Sequence, residues 1–300
     1  MAGLAVSSWA TGTPTGVRAQ AHSPALSITD LTDSLAVVTG GGGNVLVFDS
    51  SEGLILVNGG REERTGALVE FLAARWPGRS VHTLFNTDWH WDHTGANGAL
   101  ATAGASIVAH EYTKQYLATK RYVDWQDRTY PRRPTHALPT RTFYTSGELD
   151  AGNETIAYGH LGQAHTDGDI YVRFENANLI AAGDVVTVRA YPISDYTSGG
   201  WMGGLLTATK TLLDLADDQT RILPGAGPVR TRADLQAEHD MLEALVERFG
   251  RMMKQGMGAE DMLAAGATKE YDAEWGDPGL FVSTSYRGLW LHVRDLGGVV

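Results

Sequence analysis

The stretch Asn86–Asn97, NTDWHWDHTGAN, places Asp88, His90, Asp92 and His93 within six residues. It follows VHTLFN (81–86), a short apolar, β-branched run that reads as a strand, and it leads into TGAN. The four side chains therefore sit in a tight loop at a strand end. The chain has no cysteine, so any metal here must rest on imidazole nitrogen and carboxylate oxygen, donors that zinc and similar divalent ions accept. Residues two apart in an extended segment point to the same side. Asp88, His90 and Asp92 are thus expected to converge, with His93 turning off as the chain bends.

Further candidate ligands occur downstream at the ends of other strands. QAHTDGDIYV (163–172) sets His165 just ahead of one strand, and LIAAGDVV (179–186) ends an apolar strand on Asp184. Taken alone, His165 reads as a structural histidine and Asp184 as a turn residue. With the opening motif, three strand ends each present a ligand to one rim.

The rest of the pattern is strand, helix and strand. LAVVTG, NVLVF and LILVNGG are short apolar runs separated by Gly, Ser and Asp, as in a β-meander. TGALVEFLAARW (65–76) spaces Leu68, Phe71, Leu72 and Trp76 as a helix does. ASIVAH (105–110), NETIAYGHL (153–161), DIYVRF (169–174) and NLIAAGD (178–184) read as strands, and RIL leads into LPGAGPV (223–229). From about residue 231 the chain is helical. Leu235, Leu242, Leu245, Val246, Phe249 and Met253 form an apolar stripe, and Thr231 with Asp234 can cap its start. No linker divides residues 22–300, which read as one domain. Residues 121–147, with Tyr122, Trp125 and Tyr130 among Arg and Pro, read as a long flap.

Composition narrows the function classes. The 300 residues carry a formal charge of −11 and no basic cluster beyond RRPTH (132–136), which argues against nucleic acid, polyanions and anionic membranes as partners. No run approaches the ~20 apolar residues of a membrane span. A small-molecule substrate is the expected partner. The first 21 residues end in Ala19-Gln20-Ala21, the small-residue pattern of a signal-peptidase site, although no charged segment precedes it. They read as a truncated export signal or a tail, which gives a periplasmic or secreted expectation. TGGGGN (39–44) lacks the Lys and the helix of a phosphate loop, no Gly-x-Ser-x-Gly elbow is present, and no calcium loop occurs.

The ordered set resembles the metallo-β-lactamase superfamily, whose signature is His-x-His-x-Asp-His at a strand end, a later His before Gly-Asp, a bridging Asp after an apolar strand, and a last His in a Pro-Gly-His-Gly-Pro setting. From about Ser34 onward, TGGGGNVLVF, GLILVNGG, NTDWHWDHTGAN, HTDGDI, AGD and PGAGPV follow in family order. The helical tail is similar to that of exported bacterial members. The resemblance implies an α/β fold, a four-layer αβ/βα sandwich. It also implies a first metal on Asp88, His90 and His165, and a second on Asp92, His93, the shared Asp184 and a last histidine.

Three positions depart from the family pattern. Asp88 stands where the family has histidine, Asn58 where it has aspartate, and Ala226 where it has the last histidine. Asp88 keeps a donor but adds negative charge, which makes a metal-bound water less acidic. Asn58 removes a charge and partly offsets it. Ala226 removes a donor, so one firm ion and a weak or empty second position are expected. His110, His160 and His239 could in principle replace it, although packing roles suit them better. The cofactor implied is zinc, one or two ions, with iron or manganese as alternatives.

The implied activity is hydrolysis of an amide, lactam, lactone or ester carbonyl by metal-activated water, with Asp92 orienting the water or moving its proton. Two alternatives accompany it: a non-haem iron oxygenase, lyase or isomerase, and a non-catalytic binding protein with a degenerate site. Trp89, Trp91, Tyr122, Trp125, Tyr191, Tyr196 and Trp201 are the candidates for an aromatic substrate surface.

Overall fold

The computed structural model describes residues 25–292, so the export-signal expectation for residues 1–21 lies outside the described residues. A first sheet opens with β1 (Ser27–Asp30), β2 (Leu35–Thr39), β3 (Val45–Asp49) and β4 (Leu54–Val57), a meander of antiparallel neighbours. Helix α1 (Thr65–Arg75) then crosses over to β5 (Val81–Phe85), which lies parallel to β4. The short helices α2 (Trp91–Thr94) and α3 (Asn97–Thr102) lead to β6 (Ser106–His110), parallel to β5, and α4 (Glu111–Leu117) follows.

The segment read as a flap carries structure of its own. A hairpin of β7 (Arg121–Val123) and β8 (Arg128–Tyr130) is followed by β9 (Arg141–Phe143), which adds a parallel edge strand to the first sheet beside β6. The three prolines at 131, 134 and 139 lie between these short strands, where a missing N–H costs no ladder bond.

The second sheet runs in order β10 (Ser146–Asp150), β11 (Thr155–His160), β12 (Ile170–Phe174), β13 (Leu179–Gly183) and β14 (Arg221–Pro224). Only its last pair is parallel, since α5 (Met202–Leu215) intervenes. Helices α6 (Arg232–Lys254), α7 (Ala259–Ala264), α8 (Asp272–Trp275) and α9 (Gly279–Leu291) complete the described chain. Thr231 and Asp234 form a reciprocal capping box at the start of α6, as their spacing predicts.

Strand alternation explains the layering. Leu35, Val37, Leu46, Phe48, Ile55 and Val57 face the second sheet and pack with Ile156, Val172, Phe174, Leu179 and Ala181. Their neighbours Ala36, Val38, Val45, Val47, Leu54 and Leu56 point to the opposite side, against Leu68 and Leu72 of α1, Trp76 just after it, and Leu100 of α3. The far face of the second sheet, with Ile180, Ala182 and Ile222, is covered by α5, α6 and α9. Strands buried on both faces read as continuous apolar runs, and these do. The result is the expected four-layer αβ/βα sandwich. No helix of the described residues is long and apolar enough to cross a membrane.

Candidate metal centre

Four strand ends build the site. The loop after β5 carries Asp88 and His90, and α2 carries Asp92 and His93; the loop before β12 carries His165; Asp184 follows β13; Gly225 follows β14. His90 Nδ1 and His165 Nε2 face each other at 2.8 Å. Asp184 touches both halves of the cluster, with Oδ2 3.7 Å from His165 Nε2 and Oδ1 3.3 Å from His93 Nε2. His90, His93 and His165 are buried, whereas 30% of the Asp184 side chain opens to a cavity.

Each imidazole is held by one nitrogen. His165 Nδ1 donates to the Ile193 carbonyl at 2.7 Å. His90 Nε2 donates to Asp195 Oδ2 at 3.2 Å, and His93 Nδ1 donates to Asp88 Oδ2 at 2.6 Å. Those partners only accept, so the remaining nitrogens of His90 and His165 present lone pairs to each other. Two lone pairs at 2.8 Å repel unless a proton or a cation lies between them. The donor set therefore fits a divalent cation: two imidazoles and a carboxylate, each imidazole oriented by a partner on its far nitrogen.

The local field favours positive charge at this point. Burial by itself lowers the His90 pKa, but the hydrogen bond to Asp195 and the charges of Asp88, Asp195 and Asp92 outweigh it and hold it at about 9. Burial likewise opposes ionisation of Asp184, yet the charge and hydrogen bond of His93 and the charge of His165 hold it well below the usual carboxylate range. Asp195 behaves in the same way, its burial outweighed by His90 and by the donors of Ser198 and Thr197. A proton and a metal ion compete for this place, because a ligating imidazole must be neutral.

The grouping of ligands differs from the sequence expectation. Among the described residues, His90, His165 and Asp184 form one group of converging donor atoms, and Asp88, His93 and Asp184 form another, all within 4.8 Å in each case. Asp88 Oδ1 lies 3.8 Å from His90 Nδ1, but Asp88 does not form one converging group with His90 and His165. The reason is local: the chain turns at once, with the His90 N–H donating to Asp88 Oδ1 at 2.7 Å, and the alternation of an extended strand is lost. Asp92 lies in neither group. It is half-buried on the cavity wall. Ala226 is exposed, beside the Gly40–Asn44 turn. His110 stacks on His160 at 3.9 Å, and His239 meets Thr209 at 2.9 Å, so none of the three approaches the cluster.

Asn58 acts from behind. Its backbone is left-handed, at φ 64°. Its amide donates to Thr87 Oγ1 at 3.0 Å and its carbonyl accepts from the Thr87 N–H at 3.0 Å. Thr87 Oγ1 in turn lies 3.3 Å from Asp88 Oδ2 and 3.2 Å from His93 Nδ1.

A cavity of about 530 Å³ opens over the cluster. Of the aromatic candidates, Trp91, Trp125 and Tyr191 line it, together with Tyr130, Arg61, Arg128, Gln126 and Thr187. The other four aromatic candidates lie elsewhere. Trp89 is buried against Tyr116 and Tyr130 and donates to Ser198 at 3.1 Å, forming a floor beneath His90. Tyr122 is exposed and bonds Asp127, Tyr196 meets Asp124 and Arg287, and Trp201 stacks on His292 at 4.5 Å. Large aromatic side chains in connections pack helices and hairpins as readily as they line pockets, and composition alone does not separate the two roles.

Sequence reasoning missed Asp195. Its carboxylate is fully buried and accepts from His90, from Trp125 Nε1 at 3.1 Å, and from the Thr197 N–H at 3.2 Å and hydroxyl at 2.5 Å. It thereby ties the Trp125 indole on the cavity wall to the His90 imidazole. The one signal available was the Asp-x-Thr spacing at 195–197, which announces a cap and nothing more.

A family model described as the metallo-beta-lactamase superfamily matches residues 38–244. Among solved structures, a metallo-beta-lactamase from Pontibacter korlensis is similar over 73% of this chain and 99% of its own, at 19% identity and a TM-score of 0.60. A stereoselective inverting sec-alkylsulfatase from Pseudomonas sp. is similar over 89% of this chain and 50% of its own, at 15% identity and a TM-score of 0.69. These likenesses are of fold. The second covers more of this chain than the first. The alpha subunit of a 2,4-dinitroanisole O-demethylase from Nocardioides sp. (strain JS1661) is 29% identical over 181 residues, 58% of this chain and 48% of that subunit. This chain thus spans about half the length of that curated relative.

Proposed function

The chain belongs to the metallo-beta-lactamase superfamily, and from that premise we propose that it is a metal-dependent hydrolase of small molecules carrying an ester, lactone, amide or lactam carbonyl. The observation that carries this reading is the facing pair His90 Nδ1 and His165 Nε2 at 2.8 Å, beside Asp184 and beneath an open cavity. His90, His165 and Asp184 would hold a divalent cation, which when bound would supply an acidified water and a polarising charge for a carbonyl oxygen. The cavity volume suits a small substrate. Trp91 is packed from behind by the Arg133 guanidinium, 3.9 Å from its ring, and Trp125 is fixed through its indole N–H by Asp195. Both indoles are held rigid, and with Tyr130 and Tyr191 they favour a flat, apolar group next to the scissile bond. Asp92 is half-buried on the cavity wall, and in this reading its carboxylate takes a proton from the attacking water and returns it to the leaving group.

The test is hydrolysis by chelator-stripped and zinc-reloaded protein on a panel of aryl esters, lactones and lactams, with aryl methyl ethers included because of the O-demethylase relative. Activity that vanishes on stripping and returns on reloading supports the reading. No turnover of any member by fully loaded protein overturns it. A second reading has one observation in its favour: two histidines and one carboxylate also suit non-haem iron. Stoichiometric iron in protein purified without added metal, with oxygen uptake, would favour that reading over hydrolysis.

A further inference from the structure

We propose that Asp88, which stands in the place of a metal ligand, is a positioning carboxylate for His93, and that the centre holds one ion, on His90 Nδ1, His165 Nε2 and Asp184. The inference rests on the metal-binding reading above and concerns how the donors divide. Three imidazoles surround Asp184, and each is gripped on its far nitrogen by an acceptor. The Ile193 carbonyl serves His165, Asp195 serves His90, and Asp88 serves His93. Asp88 is thus the counterpart of Asp195, one imidazole along. Both of its oxygens are engaged. Oδ1 accepts from the His90 backbone N–H at 2.7 Å, and Oδ2 accepts from His93 Nδ1 at 2.6 Å with Thr87 Oγ1 at 3.3 Å. At 1% exposure it cannot swing toward His165 without leaving those donors unpaired in the interior.

The His93 side of Asp184 is the second group of converging donors, but its Asp88 is already committed to the His90 N–H and to His93 Nδ1. His93 Nε2 there already meets Asp184 Oδ1 at 3.3 Å; Ala226 offers no donor, and Asp92 stands outside the group. The Gly225 backbone closes over this contact. A methyl group at Gly225 would fall 2.0 Å from Asp184 Oδ1 and 2.9 Å from His93 Nε2, and one at Gly43 would meet the His93 ring at 3.6 Å. Gly225 therefore brings main chain close to the Asp184–His93 contact. On the other face, Asp184 Oδ2, His90 and His165 open to the cavity.

The experiment is a cobalt(II) titration of stripped wild type and of Asp88→Asn, read by metal stoichiometry and by the visible ligand-field spectrum, with Asp184→Asn alongside. The expected result is one equivalent in wild type. Asp88→Asn keeps that equivalent and its spectrum, with affinity lowered about 10–100-fold as for other partners of a ligand, whereas Asp184→Asn loses stoichiometric binding. Two equivalents in wild type, or an altered spectrum in Asp88→Asn, would overturn the inference and leave the metal-binding reading intact. No cobalt in wild type would overturn both. Should Asp88→Asn fail to fold, a zinc-edge anomalous map of zinc-soaked wild-type crystals decides: one peak touching His90, His165 and Asp184 supports the assignment, and a peak coordinated by Asp88 refutes it.

Discussion

Replacing Asp195 by asparagine tests whether the cluster is a metal site, because the substitution changes a proton position and almost no volume. Asp195 Oδ1 accepts from Trp125 Nε1 and from two groups of Thr197, while Oδ2 accepts from His90 Nε2. An amide must place its oxygen toward the three donors and its NH2 toward His90. His90 Nε2 then has to accept, and its proton moves to Nδ1, the nitrogen that faces His165 and the proposed cation. The imidazole keeps its place in the wrong tautomer. The same logic makes an Asp→Asn change so damaging in a serine-protease triad. Loss of an outer partner lowers metal affinity by about 10–100-fold, or about 1.4–2.7 kcal/mol, and the tautomer change puts Asp195→Asn at the severe end. Competition for zinc(II) with a chromophoric chelator at pH 7.5 measures it, and urea unfolding of the metal-free proteins checks that the fold survives. Zinc affinity equal to wild type in a folded Asp195→Asn would refute the argument that His90 binds through Nδ1.

Other perturbations follow from the same contacts. Gly225→Ala drives a methyl onto Asp184 Oδ1; zinc affinity should fall at least about 10-fold, with the metal-free melting temperature little changed. Asn58→Ala removes two buried hydrogen bonds to Thr87 and leaves alanine in a left-handed conformation; urea unfolding should show a loss of about 2–4 kcal/mol. Glu238 is buried on α6 against Thr187 and Arg230, and burial outweighs those partners to raise its pKa from 4.5 to about 8. The folded state then keeps a proton that the unfolded chain releases. This contribution is complete below pH 4.5 and is lost as pH rises through 8, at about 1.4 kcal/mol per pH unit between those limits. Unfolding at pH 5.5 and 7.5 should show that slope in wild type and its absence in Glu238→Gln.

The layered fold was legible because its strands are buried on both faces: runs such as LILV and LIAAG leave no polar position to disguise them, and their order with the helices implies two covered sheets. The flap at 121–147 was less legible. Three-residue strands such as β7, β8 and β9 carry too few residues to show alternation. At the site, the residues that converge were readable and their division was not. The expectation that Asp88 joins His90 assumed an extended backbone, whereas the Asp88 carboxylate caps the His90 N–H and turns the chain. Asp195 lies 30 residues beyond His165 and meets His90 only through folded loops, so no local spacing could announce it. The missing donor at Ala226 was visible, but the neighbouring Gly225, which brings its main chain against Asp184, was not.

The central claim is that this cluster holds a functional divalent cation. It is tested most directly by the metal content of protein purified without added metal, wild type beside a His90→Ala/His165→Ala double variant. The account predicts a stoichiometric divalent ion in wild type and none in the folded double variant. An ion-free wild type, or equal metal in both proteins, would contradict it.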